Sequence, residues 1–261
     1  MNIKFYKYQG AGNDFILIDG REIISKNIDT DTIAQLCDRR FGIGADGLMF
    51  LLNNDDYDFE MVYHNADGKV GSMCGNGGRC IVAFAKHLGV FDTETNFLAV
   101  DGAHYAKISA EGNWVELQMI DVDTIHVDAD AFVLNTGSPH YVKEVTGLEA
   151  MDVYTEGHTI RNNETYKANG INVNFVEKKT DHFFVRTFER GVEDETYACG
   201  TGVTAVAMAM AKKQNQIGQV VTPVVVLGGN LEINFSYDGK KFTEVFLCGP
   251  AEKVFEGEIS I

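Results

Sequence analysis

The sequence is poor in positive charge: its 261 residues include 22 Lys and Arg against 38 Asp and Glu, for a formal net charge of -16. Proteins that bind a nucleic-acid backbone or an anionic membrane surface need clustered basic side chains. No hydrophobic run approaches the length of a membrane-spanning helix, and the first ten residues lack the order of a secretory signal. We therefore expect a cytoplasmic protein that binds neither nucleic acid nor membranes.

Cysteine is also sparse. The five cysteines form no CxxC motif, and no pair of His residues has metal-ligand spacing, so neither a disulfide framework nor a zinc site is expected. Apolar residues make up 45% of the chain, which is enough for a packed core, and the length allows one large domain or two ordinary ones. We expect reduced thiols and no bound metal.

What the chain does contain is one short pattern twice: Cys-Gly-Asn-Gly at 74–77 and Cys-Gly-Thr-Gly at 199–202, each directly before an apolar segment. A cysteine at the start of a helix lies where backbone N–H groups lack partners and the helix dipole is positive, which favours the thiolate. The glycines leave the first turn open to an approaching carboxylate. Two such thiols suggest a matched acid and base.

The repetition extends upstream of the two cysteines. Residues 58–63 and 183–188 both alternate as strands do, and Asn65 and Arg190 each lie nine residues before their cysteine. A single cysteine of this kind is more often a small buried apolar side chain. That is our interpretation of the other three, Cys37, Cys80 and Cys248.

Short alternating segments separated by Gly, Asn and Asp predict strands along the whole chain. Helices are predicted at 79–88 and 203–211, both apolar nearly all round, and such helices cannot lie on a surface. Helices at 30–39 and 152–162 are amphipathic. We therefore predict an α+β fold of two similar domains, each a curved, mostly antiparallel β-sheet wrapped around a central apolar helix. The active site is expected in the cleft between them.

Nine motifs in order give the chain a resemblance to the diaminopimelate epimerase family along essentially its whole length. They are residues 10–19, 42–46, 65–68, 74–80, 139–140, 170–175, 189–192, 198–202 and 249–251. The resemblance implies a cofactor-independent conversion of LL-diaminopimelate to the meso isomer, in lysine and peptidoglycan precursor biosynthesis. It also implies that the last strand returns to the first domain.

Two features give the expected domain boundaries: the return of the last strand to the first domain, and the loss of the alternating strand pattern near 121–128. The first domain is expected to comprise 1–122 plus 252–261, and the second 123–251. The expected partner is the small-molecule substrate, and we allow for a homodimer.

The resemblance also implies roles for residues. Cys74 and Cys199 match the catalytic pair. The residues expected to bind substrate are Asn13, Asn65, Gly75, Asn76, Asn172, Glu189, Arg190, Gly200 and Thr201. His140 and Glu189 match groups that tune the cysteine pKa values.

Two positions depart from the family pattern. Ser138 stands where many relatives have Asn, and Gly47 stands where some have Gln. A serine hydroxyl offers a hydrogen bond but lacks the paired groups of an amide. The sequence therefore leaves substrate contacts at these two positions open.

Inverting an α-carbon requires removal of its proton from one face and return of a proton to the other. A thiolate and a thiol suit this task because one abstracts while the other donates. Without pyridoxal phosphate as an electron sink, the carbanion has to be stabilised directly, and two helix N-termini aimed at the carboxylate act as an oxyanion hole does.

Other readings of the same pattern remain open. A proline or hydroxyproline racemase-like enzyme shares the two-cysteine logic, although that group favours Cys-Gly-His-Gly. A cysteine hydrolase needs only one nucleophile and a His base, so it leaves the second cysteine unexplained. A redox-sensing dithiol predicts paired cysteines without substrate groups.

Overall fold

The structure is a computed structural model that describes residues 2–22 and 28–261. The chain divides into two units, one of Met1–Leu117 with Gly249–Ile261 and one of Gln118–Cys248. These bounds lie a few residues before those expected from the sequence, at 122 and 251.

Seventeen strands and four α-helices follow one another in the described part of the chain. The strands are β1 Asn2–Gly10, β2 Asn13–Asp19, β3 Gly47–Leu52, β4 Phe59–Asn65, β5 Glu94–Ala99, β6 Gly102–Ile108, β7 Trp114–Gln118, β8 Ile125–Asp128, β9 Ala131–Asn135, β10 Pro139–Glu144, β11 Asn172–Lys178, β12 Phe183–Glu189, β13 Asp194–Thr196, β14 Gly218–Val226, β15 Gly229–Tyr237, β16 Phe242–Pro250 and β17 Glu252–Ser260. The helices are α1 Thr30–Cys37, α2 Gly75–His87, α3 Val153–Arg161 and α4 Gly200–Gln214. A 3-10 helix spans Leu148–Ala150.

Strand pairing in the first unit is mostly antiparallel. β1 pairs antiparallel with β2 and β17, β3 with β4, and β6 with β5 and β7. The two parallel pairs, β2–β3 and β4–β5, are joined by long connections that contain α1 and α2. Parallel neighbours need such crossovers, whereas antiparallel ones can be joined by short turns.

The second unit repeats this order. β10–β11 and β12–β14 are its parallel pairs, joined through α3 and α4, and the remaining pairs are antiparallel. The repeated order of strands, crossovers and helices confirms the predicted α+β fold built from two similar halves.

The two apolar helices lie at the centres of their units. Every residue of α2 from 76 to 85 is buried, and the helix packs against β1, β2, β3, β6 and β17. Residues 202 to 211 of α4 are likewise buried, and it packs against six strands of the second unit. Burial on every face requires a sheet that curves around the helix, which is what the apolar sequences predicted.

Both central helices begin earlier than predicted, directly after the cysteines. Cys74 and Cys199 are the N-cap residues, with extended backbones at φ -112° and φ -115°. Glycine has a low helix propensity, so the apolar period identified only the later turns. At the other end α4 is closed by Asn215, which has a left-handed backbone with φ 51°.

The amphipathic helices cover the outer faces as predicted. Asp29 caps α1 by accepting from the backbone N–H of Thr32 at 2.8 Å, and Asp152 caps α3 through the N–H of Thr155 at 3.1 Å. Ile33 and Leu36 of α1 pack into one apolar cluster and Val153 of α3 into another.

Two strands were not predicted. β8 lies inside 121–128, where the pattern indicated no strand, and this expectation is wrong: only Ile125 of its four residues is buried, so no alternation marks it. β13 is three polar residues long. Pro223 lies within β14, and β12 joins β14 only at Val224 and Val225, just beyond the proline.

Candidate active site

Cys74 lies at the N-terminus of α2 and is partly exposed. Its Sγ donates to Oδ1 of Asn13, on β2, over 3.6 Å. Nδ2 of Asn76, in the first turn of the helix, donates to the same Oδ1 at 3.3 Å. The structure therefore brings three of the predicted site residues of the first unit into one cluster.

A fully buried arginine, Arg79, holds the first turn of α2. Its guanidinium donates to Oδ1 of Asn76 at 3.1 Å, to the carbonyl of Gly75 at 3.3 Å and to the carbonyl of Pro250 at 3.5 Å. Sequence reasoning assigned Arg79 no role. The position of Arg79 near the predicted start of a helix could have indicated this role. A cation there opposes the helix dipole and needs hydrogen-bond acceptors.

Asn13 is positioned by charged side chains. Its Nδ2 donates to Oδ2 of Asp46 at 2.6 Å, and Arg39 bridges Asp46 and Asp14, again at 2.6 Å in each case. Lys7, which is buried, lies 2.7 Å from Asp14. Burial raises the pKa of Asp14, but hydrogen bonds from Arg39 and Lys7 outweigh that effect and lower the pKa to about 2.

Gly47 and Asn65 lie opposite each other in the β3–β4 pair. Asn65 is exposed, and its carbonyl accepts from the N–H of Gly68 at 2.9 Å, as a turn residue does. A Cβ atom on Gly47 would lie 2.4 Å from the ring of Tyr63. Tyr63 therefore fills the space that a Gln side chain would need at position 47.

Cys199 is the counterpart of Cys74 at the N-terminus of α4, and it is buried. Its Sγ lies 3.5 Å from Oγ1 of Thr201, which in turn lies 3.1 Å from Oγ of Ser138. The Ser138 hydroxyl also lies 2.9 Å from Nε2 of His140 and accepts from Nδ2 of Asn172 at 3.1 Å. Four predicted residues are thus linked to one sulfur by side-chain hydrogen bonds.

His140 is fully buried at the start of β10. Its burial and the positive charge of Arg190 lower the pKa of His140 to about 3, so the ring is neutral at pH 7. Nδ1 receives a hydrogen bond from Nδ2 of Asn174 at 3.1 Å. Asn174 was not predicted, although a second Asn two residues after Asn172 in a buried strand is a readable signal for a polar face.

Glu189 is the last residue of β12, and Arg190 follows it directly. Burial raises the pKa of Glu189, and its Oε2 accepts from the hydroxyl of Thr196 at 3.0 Å. Arg190 is exposed; its backbone N–H donates to Oδ1 of Asn172 at 2.9 Å, and its guanidinium donates to the carbonyl of Asn169 at 3.1 Å. Arg190 therefore joins the Cys199 network through Asn172.

The three cysteines interpreted as structural are buried. Burial is the main cause that raises the pKa of the Cys37 thiol to about 11 and that of Cys80 to about 12. Among residues 2–22 and 28–261 no group of His, Cys, Asp and Glu side chains could hold a metal ion. No helix in the same ranges is long and apolar enough to cross a membrane.

Solved structures share the fold of this chain. A Bacillus anthracis phenazine biosynthesis protein of the PhzF family superposes with a TM-score of 0.78 at 14% identity, covering 100% of both chains. A probable proline racemase from Agrobacterium radiobacter superposes with a TM-score of 0.69 at 14% identity, covering 99% of this chain and 93% of that one. At such identities the likeness concerns the fold alone.

Sequence comparison gives the family. The sequence model described as "Diaminopimelate epimerase" matches residues 5–125 and 132–254. A protein of Flavobacterium psychrophilum named diaminopimelate epimerase is 49% identical over 258 residues, which cover 98% of this chain and 100% of that protein. The chain belongs to the diaminopimelate epimerase family.

Proposed function

We propose that this chain is an isomerase that converts LL-2,6-diaminopimelate to meso-diaminopimelate by proton transfer between two cysteines and the α-carbon, without a cofactor. The product serves lysine and peptidoglycan precursor biosynthesis. Family membership supports the substrate, and the relative from Flavobacterium psychrophilum carries this activity in its name.

One observation carries the mechanism. Each cysteine caps a buried helix, each is followed by a glycine in the first turn, and each sulfur is within hydrogen-bonding reach of an oriented polar side chain. A structural cysteine needs none of these features. All of them suit an acid and a base that exchange roles.

The first turns of α2 and α4 supply the electrophilic part of the mechanism. The backbone N–H groups of Gly75 and Asn76 and of Gly200 and Thr201 lie at the positive ends of the two helix dipoles. Directed at the carboxylate of the substrate, they stabilise the charge that develops when the α-proton leaves. Each such donor typically contributes about 3 to 4 kcal/mol to the transition state.

We assign substrate binding to the polar residues that surround the two cysteines or occupy the matching strand ends. Asn13 and Asn172 lie in the two networks, and Asn65 and Arg190 occupy equivalent exposed positions at the ends of β4 and β12. A guanidinium fork suits a second carboxylate. Glu189 suits a substrate ammonium.

The two units are proposed to be the two epimerase domains, and Cys74 and Cys199 to act on opposite faces of one α-carbon. A homodimer stays a prediction, which sedimentation of the purified chain tests.

Deuterium incorporation from heavy water tests the function directly. Diaminopimelate incubated with the chain should gain one deuterium at an α-carbon, while proline and hydroxyproline should gain none. Incorporation into proline alone would identify a racemase of the same fold. Incorporation into neither substrate, with reversible oxidation of the cysteines, would favour a redox dithiol.

A further inference from the structure

The side-chain amide of Asn13 has a different partner at each of its two polar atoms. Its Nδ2 donates to Oδ2 of Asp46 at 2.6 Å. Its Oδ1 accepts from Nδ2 of Asn76 at 3.3 Å, and the same oxygen lies 3.6 Å from Sγ of Cys74. A carboxylate only accepts, so the nitrogen of Asn13 has to face Asp46, and the oxygen then faces Cys74.

The amide of Asn76 is oriented from the opposite side. A guanidinium only donates, and Nη2 of Arg79 donates to Oδ1 of Asn76 at 3.1 Å, so Nδ2 of Asn76 is the atom that faces Asn13. We call the series from Arg79 through Asn76 and Asn13 to Asp46 the amide chain. A cation stands at one end and an anion at the other, so all its hydrogen bonds run in one direction. A reversed amide would place donor against donor.

Backbone hydrogen bonds hold Asp46 beside Asn13. The N–H of Asp46 donates to the carbonyl of Asp14 at 2.9 Å, and the N–H of Asp14 donates back to Oδ2 of Asp46 at 3.2 Å. Asn13 and Asp14 are the first residues of β2, and Asp46 directly precedes β3. The carboxylate therefore reaches Asn13 from the strand that pairs in parallel with β2.

A purely structural role does not account for the Asp46 carboxylate. Arg39 holds Asp14 with both arms of its guanidinium, at 3.0 Å and 2.6 Å, and its contact with Oδ1 of Asp46 at 2.6 Å is additional. The side chains of Arg39 and Asp46 are 57% and 42% exposed, and ion pairs with this exposure contribute little to stability. Arg39 keeps Asp14 when Asp46 is replaced. The contact that matters is therefore the one with Nδ2 of Asn13.

We propose that Asp46 is a positioning residue for epimerisation: its carboxylate holds the Asn13 amide in one orientation, so that this side chain is ordered before the substrate arrives. The proposal rests on the proposed function, in which Asn13 binds substrate. A side chain that is already ordered loses little conformational freedom on binding. Asp46 acts through Asn13 and needs no contact of its own with the substrate.

Steady-state kinetics with diaminopimelate test the role of Asp46. Asp46→Ala removes the acceptor and should lower kcat/KM about tenfold or more, the factor expected when one hydrogen bond to a charged group is lost. Asp46→Asn keeps one oxygen, which can accept from Asn13 while Arg39 stays with its other partner, so it should recover much of the loss. If circular dichroism shows that Asp46→Ala does not fold, Asp46→Leu, which has a larger side chain without an acceptor, takes its place.

Asp58 provides a matched control in the same unit. Its Oδ2 accepts from the hydroxyl of Thr95 at 2.8 Å and from the backbone N–H of Asn96 at 2.9 Å. Oδ2 of Asp46 likewise accepts from one side chain and one backbone N–H, and both aspartates are exposed. Asp58 directly precedes β4, whereas Asn65 is at the other end of that strand. Asp58→Ala should lower the urea midpoint of unfolding by a similar amount and leave kcat/KM unchanged.

A double-mutant cycle shows whether Asp46 acts through Asn13. Asn13→Ala removes the amide, so Asp46→Ala should cause little further loss of kcat/KM in that background. The proposal is overturned by equal losses in the two backgrounds, by wild-type kcat/KM in a folded Asp46→Ala chain, or by an equal loss in Asp58→Ala.

The side-chain amide of Asn13 gives a second readout that does not depend on turnover. In proton–nitrogen correlation spectra its signals are those that disappear in Asn13→Ala, and the hydrogen bond to the Asp46 carboxylate should shift one of its protons downfield. Asp46→Ala should reverse this shift, whereas Asp58→Ala should not. An unchanged Asn13 signal in Asp46→Ala would also overturn the proposal.

Deuterium incorporation into diaminopimelate, measured on the wild-type chain, separates the two levels of the argument. Incorporation together with an unchanged Asn13 signal in Asp46→Ala would reject the positioning role and keep the epimerase. A reversed signal without incorporation in the wild type would reject the epimerase and keep the hold of Asp46 on Asn13.

Discussion

Arg79 Nη2 donates to Oδ1 of Asn76 over 3.1 Å, inside the first turn of α2 and with no solvent exposure of the arginine. A buried guanidinium is costly unless its donors are satisfied, and here the carbonyl oxygens of Gly75 and Pro250 also accept from it. The arrangement fixes the Asn76 amide so that its nitrogen faces Asn13. The arginine therefore orients Asn76, which in turn contacts Asn13 beside Cys74.

Arg79→Lys should weaken both stability and turnover. A lysine keeps the charge but presents one nitrogen, so it cannot serve three acceptors in a fixed fork. Leaving one buried acceptor unsatisfied costs about 1 to 3 kcal/mol. Urea unfolding should show this loss, and kcat for diaminopimelate should fall about tenfold or more in the folded fraction. A folded variant with wild-type kcat would show that Arg79 does not help to position the site.

Cys74→Ser and Cys199→Ser should each nearly abolish epimerisation while the fold is kept, because a serine hydroxyl is a far weaker acid than a thiol and is not ionised at neutral pH. Cys80→Ser is the matched control. Cys80 is fully buried in α2, and burial raises the pKa of its thiol to about 12, so it takes no part in proton transfer near pH 7. Its replacement should lower the melting temperature and leave kcat unchanged. Equal loss of activity in all three folded variants would contradict the catalytic assignment.

Much of this site was predictable from one repeated motif. The motif predicted a cysteine at the N-terminus of each central helix, because the Cys-Gly pattern occurs twice before an apolar run. The resemblance supplied Asn13, Asn172 and His140. Partners that are remote in sequence were not predictable. Asp46 reaches Asn13 only because β2 and β3 pair in parallel across a long crossover, and no local pattern encodes that register.

For the fold, too, some elements were predictable from the sequence and others were not. Alternation predicted most strands, since one face of many of them is buried in the core of its unit. β8 was not predicted because three of its four residues are exposed. Its strand conformation comes from pairing with β9 rather than from an alternating pattern of its own. The starts of α2 and α4 were not predicted, because the glycines in their first turns are not part of the apolar pattern.

Asp14→Asn should destabilise the chain at neutral pH by about 2 to 3 kcal/mol, the free energy that corresponds to a pKa lowered from about 3.9 to about 2. A lowered carboxyl pKa gives stability that is present above the unfolded value and is lost as pH falls through the folded value. The difference in unfolding free energy between wild type and variant should therefore shrink between about pH 4 and about pH 2. Urea titrations at a series of pH values measure it, and a difference independent of pH would contradict the ion-pair explanation.

Arg190→Lys should reduce both substrate affinity and turnover, although the charge is kept. The backbone N–H of Arg190 still donates to Asn172 in the variant, so the Cys199 network is retained. What the lysine loses is the planar fork that suits a substrate carboxylate. Steady-state kinetics should show a raised KM and a lowered kcat, and unchanged kinetics would exclude a substrate contact through the guanidinium.

Gly47→Gln, which restores the residue that some relatives have, should be harmful in this chain. A Cβ at position 47 would lie 2.4 Å from the Tyr63 ring and 2.6 Å from the carbonyl of His64, so the tyrosine has to move before any side chain fits. Overpacking of this kind typically costs about 1 to 3 kcal/mol. Gly47→Gln with Tyr63→Ala should recover part of that loss, because the ring is gone while the His64 carbonyl remains 2.6 Å from the Cβ position. Tyr63→Ala alone should be destabilising through the cavity it leaves. A double-mutant cycle on urea unfolding measures the coupling. Additive effects of the two substitutions would show that Tyr63 and position 47 do not compete for one space, and that the absence of Gln in this chain has another cause.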